Sequence, residues 1–285
     1  MIIQIALGLL LSAAVGVAGY RSAALFRSGV LGAVLTGTLI FGLGGIVPGL
    51  SLVAFFVSSS LLSRYRARAK EGLADKFQKG SRRDLGQALA NGGWAALLIT
   101  LSVFLPSAAL FAGFIGALAA VTADTWATEI GVLADGPPRL VTTGRPVPAG
   151  TSGGVTRLGT AAALGGAFFI GAAAVLLVLL GSFFPAALPP SAQMVDWPAA
   201  WPALLAAALV GGVLGALFDS LLGATAQAIY YCDRCDKETE KKVHACGQRT
   251  RRVRGWGWMD NDIVNLLASV LGSAAAAMVW LVLAR

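Results

Sequence analysis

Ala119-Ala120-Val121-Thr122-Ala123-Asp124-Thr125-Trp126-Ala127-Thr128-Glu129-Ile130-Gly131 is the stretch that decides how the chain is read. It continues an apolar run that starts near Ala108, and two carboxylates sit inside it. A run of about 20 apolar residues crosses a bilayer as a helix. A carboxylate in hydrocarbon is costly unless it is paired, hydrated or metal-bound, so Asp124 and Glu129 are candidate functional residues. They are five residues apart, about 140° around a regular helix. They therefore face one partner only if the helix is broken or both line one cavity.

The rest of the chain repeats the pattern. Of 285 residues, 56% are hydrophobic and only 13% charged, against about 25% charged in a soluble domain. Mean hydropathy is +0.75. Eight apolar segments are expected: Ile2–Gly19, Val30–Val47, Leu50–Leu62, Leu85–Leu105, Ser107–Leu133, Leu158–Phe184, Ala203–Ile229 and Asp262–Leu283. The third is short and follows Pro48-Gly49, which leaves a re-entrant or tilted segment open. The fold class is all-α, a polytopic bundle of seven or eight helices forming a single transmembrane domain over 1–285. A small metal-binding loop at 230–259 is inserted between the last two helices. The first segment lacks a basic n-region and a clear cleavage site, so it reads as a retained helix.

Loop charge sets the orientation. With the N-terminus outside, 21 of the 22 Lys and Arg face the cytosol, as the positive-inside rule requires. This explains the net charge of +8 without nucleic acid as a partner. The expected location is the cytoplasmic membrane, with the active site on the cytosolic side. The opposite loops are bland. Trp197 and Trp201, in the Pro-rich segment from Pro185 to Pro202, look like interfacial anchors. Most of the 36 glycines, such as Gly113/Gly116 and Gly211/Gly212/Gly215, read as close helix packing through small residues.

Polar groups converge at the basic side. Arg83, Gln87 and Asn91 are spaced i, i+4, i+8 and share a helix face. Asp219, Gly223 and Gln227 repeat that spacing, with Ser220 and Thr225 beside them. Asn261, Asp262, Asn265 and Ser269 form a third stripe. Four of the 14 acids lie in the spans: Asp124, Glu129, Asp219 and Asp262. All fall near the cytosolic ends. Acids and amides at one depth suit a hard cation such as Mg²⁺, which takes oxygen ligands and is commonly shared with substrate phosphates. Interhelical hydrogen bonding or an ion path is the alternative.

Two loops add anion-binding chemistry. Phe77-Gln78-Lys79-Gly80-Ser81-Arg82-Arg83-Asp84 puts three cations before a helix N-terminus, a natural phosphate site. Pro148-Ala149-Gly150-Thr151-Ser152-Gly153-Gly154-Val155-Thr156 can cradle phosphates on backbone N–H groups. It lacks the Gly-Lys-Ser/Thr ending of a Walker A loop. Separately, Cys232, Cys235, His244 and Cys246 are all the cysteines and the single histidine of the chain. Four such ligands suit a closed structural zinc site. A redox thiol pair is the rival reading.

Taken together, these motifs resemble a known family, and the resemblance covers nearly the whole chain. It is carried by 79–84 with Asn91-Gly92-Gly93, by 123–131, by 150–156, by Asp219-Ser220-Leu221-Leu222-Gly223-Ala224-Thr225 with Gln227, and by Asn261-Asp262 with Val264-Asn265. The family is the phytyl-phosphate kinases of plant vitamin E synthesis and their prokaryotic homologues, which also include an animal membrane protein of uncertain role. The Cys/His loop is similar to that of prokaryotic members. The resemblance implies a membrane kinase that converts a prenyl monophosphate into its diphosphate. It also implies kinship with dolichol kinase and the CDP-lipid synthases, many of which use CTP. Asp124, Asp219, Asp262 and Glu129 would then hold Mg²⁺. Lys79, Arg82 and Arg83 would neutralise phosphate charge. Thr151, Ser152, Gly153 and Thr156 would cradle the donor, with Asn91, Ser220, Gln227, Asn261 and Asn265 alongside. The partners would be an isoprenoid monophosphate, a nucleoside triphosphate and membrane lipids. Cytidylyl transfer to a lipid phosphate, ion-coupled transport and a non-enzymatic scaffold are the alternatives.

Overall fold

The computed structural model describes residues 2–66 and 82–284. Its helices are α1 (Ile2–Arg21), α2 (Arg27–Gly44), α3 (Ile46–Arg64), α4 (Leu85–Phe104), α5 (Ala108–Gly131), α6 (Arg157–Gly181), α7 (Trp197–Thr225) and α8 (Asn261–Leu283). Among the described residues, these eight are long and apolar enough to cross a membrane. Two short strands, β1 (Arg139–Leu140) and β2 (Gly154–Val155), pair between α5 and α6. Strands β3 (Ile229–Cys232), β4 (Lys237–Thr239) and β5 (Arg251–Arg254) form a sheet in the order β4-β3-β5 between α7 and α8.

Helix α5 is the hub. Every residue from Phe111 to Ala123 is buried, as expected of a helix that is apolar all round. It packs against α3, α4, α6, α7 and α8. Its closest neighbours are reached through glycine. A Cβ on Gly211 of α7 would lie 2.5 Å from the Gly272 carbonyl oxygen of α8, and one on Gly116 would lie 2.7 Å from the same oxygen. Backbones this close need small residues at the crossing.

The structure corrects several boundaries. Helix α3 starts at Ile46 and runs 19 residues, so it is a full-length helix and not a re-entrant fragment. Pro48 sits in its first turn, where its missing N–H has no intrahelical partner to lose. The turn is made by Gly45 alone, at φ 89°. Helix α7 starts at Trp197, with Pro198 in its first turn and Pro202 inside it. It ends at Thr225, so Gln227 lies in the turn beyond the helix and Ile229 opens β3. Trp197 is no interfacial anchor. It is 1% exposed, and its indole N–H donates to the Ala192 carbonyl at 3.0 Å. Its ring lies 5.7 Å from Phe111 and 5.6 Å from Trp280.

Candidate functional site

One cavity of about 520 Å³ opens at the end of the bundle that carries the basic loops. Its walls are the ends of α3 to α8, the Gly-rich 150–156 loop and part of the Cys/His loop. It gathers Arg83, Asn91, Asp124, Glu129, Thr151, Ser152, Gly153, Thr156, Asp219, Ser220, Gln227, Asn261, Asp262 and Asn265. The separate stripes read from the sequence thus line a single space.

The acids occupy different walls. Asp124 of α5 and Asp219 of α7 meet side chain to side chain, within hydrogen-bonding reach. Asp219 Oδ2 has no hydrogen-bond partner among the described residues. A buried acceptor of this kind wants a proton donor or a cation. Glu129 faces the other way. It accepts from the Ser63 hydroxyl of α3 at 2.7 Å and interacts electrostatically with Arg83. The cavity wraps around the end of α5, which is how residues about 140° apart both reach it. Asp262 enters from the first turn of α8, whose N-cap Asp260 accepts from the Ile263 N–H at 3.2 Å.

Arg83 is built in from both sides. Its backbone bridges the α1–α2 loop: its N–H donates to the Ala24 carbonyl, and its carbonyl accepts from the Phe26 N–H, both at 2.9 Å. Its guanidinium donates to the Ser60 hydroxyl at 3.0 Å and lies 5.8 Å from the rings of Phe55 and Phe56. Arg82 points elsewhere. It donates to the Leu25 carbonyl at 3.0 Å, stacks over Phe26 and does not line the cavity. Lys79 lies outside the described residues. A capping box of Asp84 and Gln87 starts α4 directly after Arg83.

The Gly-rich loop offers backbone more than hydroxyls. The Thr156 hydroxyl caps α6, accepting from the Gly159 N–H at 2.9 Å and donating to the Gly131 carbonyl. The Thr151 hydroxyl donates to the Pro148 carbonyl at 2.7 Å. Gly153 has φ +82°, and a Cβ there would lie 2.5 Å from the Ala224 nitrogen. Only glycine lets this loop lie against the end of α7.

Sequence reading missed Ser63 and Glu240. Both line the cavity. Ser63 follows Ser58, Ser59 and Ser60 in α3, a run of small residues that reads as helix packing. Glu240 is one of several acids in a charged loop; its only cue was its place between the two halves of the Cys/His set.

A second, narrow cavity of about 60 Å³ lies between α1, α2, α3 and α4. Its lining is mostly apolar, including Val15, Ala33, Leu52, Phe55 and Phe56. Arg83, Gln87 and Asn91 line both cavities.

Cys232, Cys235, His244 and Cys246 converge in the β3–β5 module, their ligand atoms within 4.8 Å of one another. Cys232 Sγ and Cys246 Sγ are 3.6 Å apart. Two thiolates on one tetrahedral zinc with 2.3 Å bonds would be about 3.8 Å apart. His244 Nδ1 lies 3.3 Å from Cys246 Sγ. The Gln248 backbone N–H and His244 pull the Cys246 thiol down to about 6, while its thiol neighbours, Cys246 first, push Cys235 up to about 11. The group can hold a metal ion. Outside it, the sheet is tied back to the bundle where it enters and leaves: the Ala228 N–H donates to the Met259 carbonyl and the Trp256 N–H to the Ala226 carbonyl.

The profile of the family described as Integral membrane protein DUF92 matches residues 10–273. The chain is similar to Protein PGR of Arabidopsis thaliana, 30% identical over 289 residues, which cover 95% of this chain and 96% of that protein. It is similar to the Uncharacterized membrane protein MJ0933 of Methanocaldococcus jannaschii, 36% identical over 55% of this chain and 64% of the relative. It is also similar to Protein VTE6, chloroplastic, of Arabidopsis thaliana, 27% identical over 89% of this chain and 65% of the relative. No solved structure matches the chain.

Proposed function

The chain belongs to the DUF92 family of integral membrane proteins, in line with the resemblance its motifs carry, and on that premise we propose that it phosphorylates an isoprenoid monophosphate. The donor is a nucleoside triphosphate, with CTP favoured, and the product is the prenyl diphosphate. The observation that carries this reading is the single cavity lined by Asp124, Glu129, Asp219, Glu240, Asp262, Arg83 and a Gly-rich loop. Acids facing a phosphate-binding loop repel a phosphorylated substrate unless a divalent cation lies between them. Asp124, Asp219 and Asp262 fit Mg²⁺ as an all-oxygen donor set, and Asp219 Oδ2, which has no hydrogen-bond partner among the described residues, is the atom most in need of it. Bound there, Mg²⁺ would neutralise phosphate charge. With three thiols and an imidazole, the Cys/His group suits zinc in a structural role.

An oxygen of the acceptor phosphate attacks the γ-phosphorus, its bond to phosphorus forms, and the bond to the β-phosphate oxygen breaks, releasing a nucleoside diphosphate. The attacking group is already an oxyanion, so no strong base is needed. Positioning and charge neutralisation carry such transfers. Arg83 suits the acceptor phosphate, because it joins the polar cavity to the apolar cleft beside Phe55 and Phe56. A prenyl chain that enters along that cleft from the bilayer puts its phosphate at Arg83. The one-sided distribution of Lys and Arg supports a cytosolic cavity, where nucleotide is available. The buried apolar run from Phe111 to Ala123 speaks against an ion path along α5.

The test uses purified protein in detergent with phytyl or geranylgeranyl phosphate, Mg²⁺ and each nucleoside triphosphate in turn, with products resolved by mass spectrometry. Prenyl diphosphate with nucleoside diphosphate is expected. Pyrophosphate with a cytidylylated lipid would move the assignment to cytidylyl transfer. No diphosphate from any donor, or full activity in Asp124→Asn and Asp219→Asn, overturns the kinase reading.

A further inference from the structure

Glu240 belongs by sequence to the Cys/His loop, yet its side chain is in the polar cavity. Its Oε1 accepts from the Ser152 hydroxyl at 2.9 Å and from the Gln227 side-chain amide at 2.8 Å. Ser152 lies in the Gly-rich loop, and Gln227 is the buried turn residue after α7. One oxygen thus ties together two segments that lie 88 and 13 residues away in the chain.

The four metal-ligating side chains bracket Glu240. Cys232 ends β3 and Cys235 sits in the turn before β4; His244 and Cys246 follow Glu240. Between them, β4 pairs with β3 over only three residues, and a hairpin so short is marginal by itself. The outgoing strand is held by Thr250, whose hydroxyl donates to the Lys241 carbonyl at 2.8 Å. Its N–H donates to the Lys242 carbonyl at 3.1 Å. A metal joining Cys232 and Cys235 to His244 and Cys246 closes the 236–243 segment into a fixed loop. β5 adds a second grip, since Arg254 donates to the Ala224 carbonyl at 3.0 Å and to the Ser152 carbonyl at 3.4 Å.

We propose that Glu240 is a positioning residue of the polar cavity, delivered by the Cys/His loop and set by the metal that loop holds. The metal fixes the loop, the loop fixes Glu240, and Glu240 fixes the Gly-rich loop and Gln227. Both contacts come from neutral donors to one oxygen. An amide oxygen can accept the same two bonds, so for these two contacts an acceptor at that point suffices. The catalytic consequence rests on the phosphate-cradle reading above; the coupling itself does not.

Hydrogen–deuterium exchange by mass spectrometry tests this on the full chain in detergent, without substrate or turnover. Wild type, Glu240→Gln and Glu240→Ala are each compared as purified and after chelation, with bound metal counted by elemental analysis. Two reporters are in place: the Gly154 N–H donates to the Thr151 carbonyl and the Gln227 N–H to the Leu222 carbonyl, both at 2.9 Å. Chelation of wild type should speed exchange at 150–156 and 226–228 roughly tenfold, the low end for losing a hydrogen bond to a charged group. Glu240→Ala should do so with its metal still bound, and chelation should then add little. Glu240→Gln should exchange as wild type does. The proposal is overturned if chelation leaves 150–156 unchanged, if metal-loaded Glu240→Ala matches wild type, or if Gln behaves as Ala does. A protein inactive on every prenyl phosphate can still pass this test, and an active kinase can fail it.

Discussion

Asp219→Asn should make the cation-free protein more stable while removing its response to Mg²⁺. Asp124 and Asp219 meet directly in the cavity, and Glu240 adds to the negative field at Asp219. Two unit charges about 4 Å apart repel by about 4 kcal/mol at an effective dielectric of about 20. That is a ceiling, since any counter-charge between them lowers it. If half of it acts in the cation-free state, the asparagine gains about 2 kcal/mol. For a chain of this size that is a rise in Tm of roughly 4–8 °C. The amide still packs and still offers an oxygen, so little else changes. Wild type should gain Tm on adding Mg²⁺, because a ligand that binds only the folded state stabilises it. Asp219→Asn should start higher in EDTA and stay flat. Its prenyl-phosphate turnover should fall at least 100-fold, equivalent to about 2.7 kcal/mol of barrier. Tryptophan-fluorescence melting in detergent, with EDTA or Mg²⁺, reads both quantities. An Asp219→Asn protein that melts below wild type in EDTA, or gains Tm with Mg²⁺ as wild type does, would rule out a cation-relieved repulsion between Asp124 and Asp219.

Other outcomes follow from the same geometry. Arg83→Ala should raise KM for the prenyl phosphate at least tenfold, as the loss of a charged hydrogen bond implies, with partial recovery in Arg83→Lys; Arg82→Ala should leave KM unchanged, since Arg82 is spent on the Leu25 carbonyl. Ser63→Ala removes the 2.7 Å donor to Glu129 and should cost about tenfold in turnover, the low end for a hydrogen bond to a charged group. Gly211→Ala forces a Cβ to 2.5 Å from the Gly272 carbonyl oxygen; overpacking of about 2 kcal/mol should lower Tm by roughly 4–8 °C. Elemental analysis should find one zinc per chain, lost in Cys232→Ser.

The sequence made the helices legible because charged loops separate apolar runs, and that contrast survives any detail of packing. It failed where a residue type has two physical uses. Pro48-Gly49 and the Pro-rich segment around Pro198 read as connections, yet proline is equally at home in a first turn, and α3 and α7 begin around them. Trp197 looked like an interfacial anchor, but an indole whose N–H finds a carbonyl can be buried, and Ala192 supplies one. Arg82 and Arg83 looked equivalent. Residue 83 lies in a bridge with Leu25, and in extended backbone successive side chains point opposite ways. One arginine therefore enters the cavity and its neighbour leaves it. No periodicity reveals which, because the bridge partner lies 58 residues back.

The offset between Asp124 and Glu129 is the most informative of these cases. Read on a bare helix, about 140° between them argued against a shared role. The cavity resolves this by curving around the end of α5, so each acid meets a different wall. Asp124 faces Asp219, a like charge, and that pairing calls for a shared proton or a bound cation between them. Glu129 faces Ser63 and Arg83, a donor and a cation already supplied by the protein. The two acids therefore differ in what they lack. Among the described residues Asp124 has no counter-charge and is suited to a bound cation, whereas Glu129 has one and is suited to holding Arg83 where the polar cavity meets the apolar cleft.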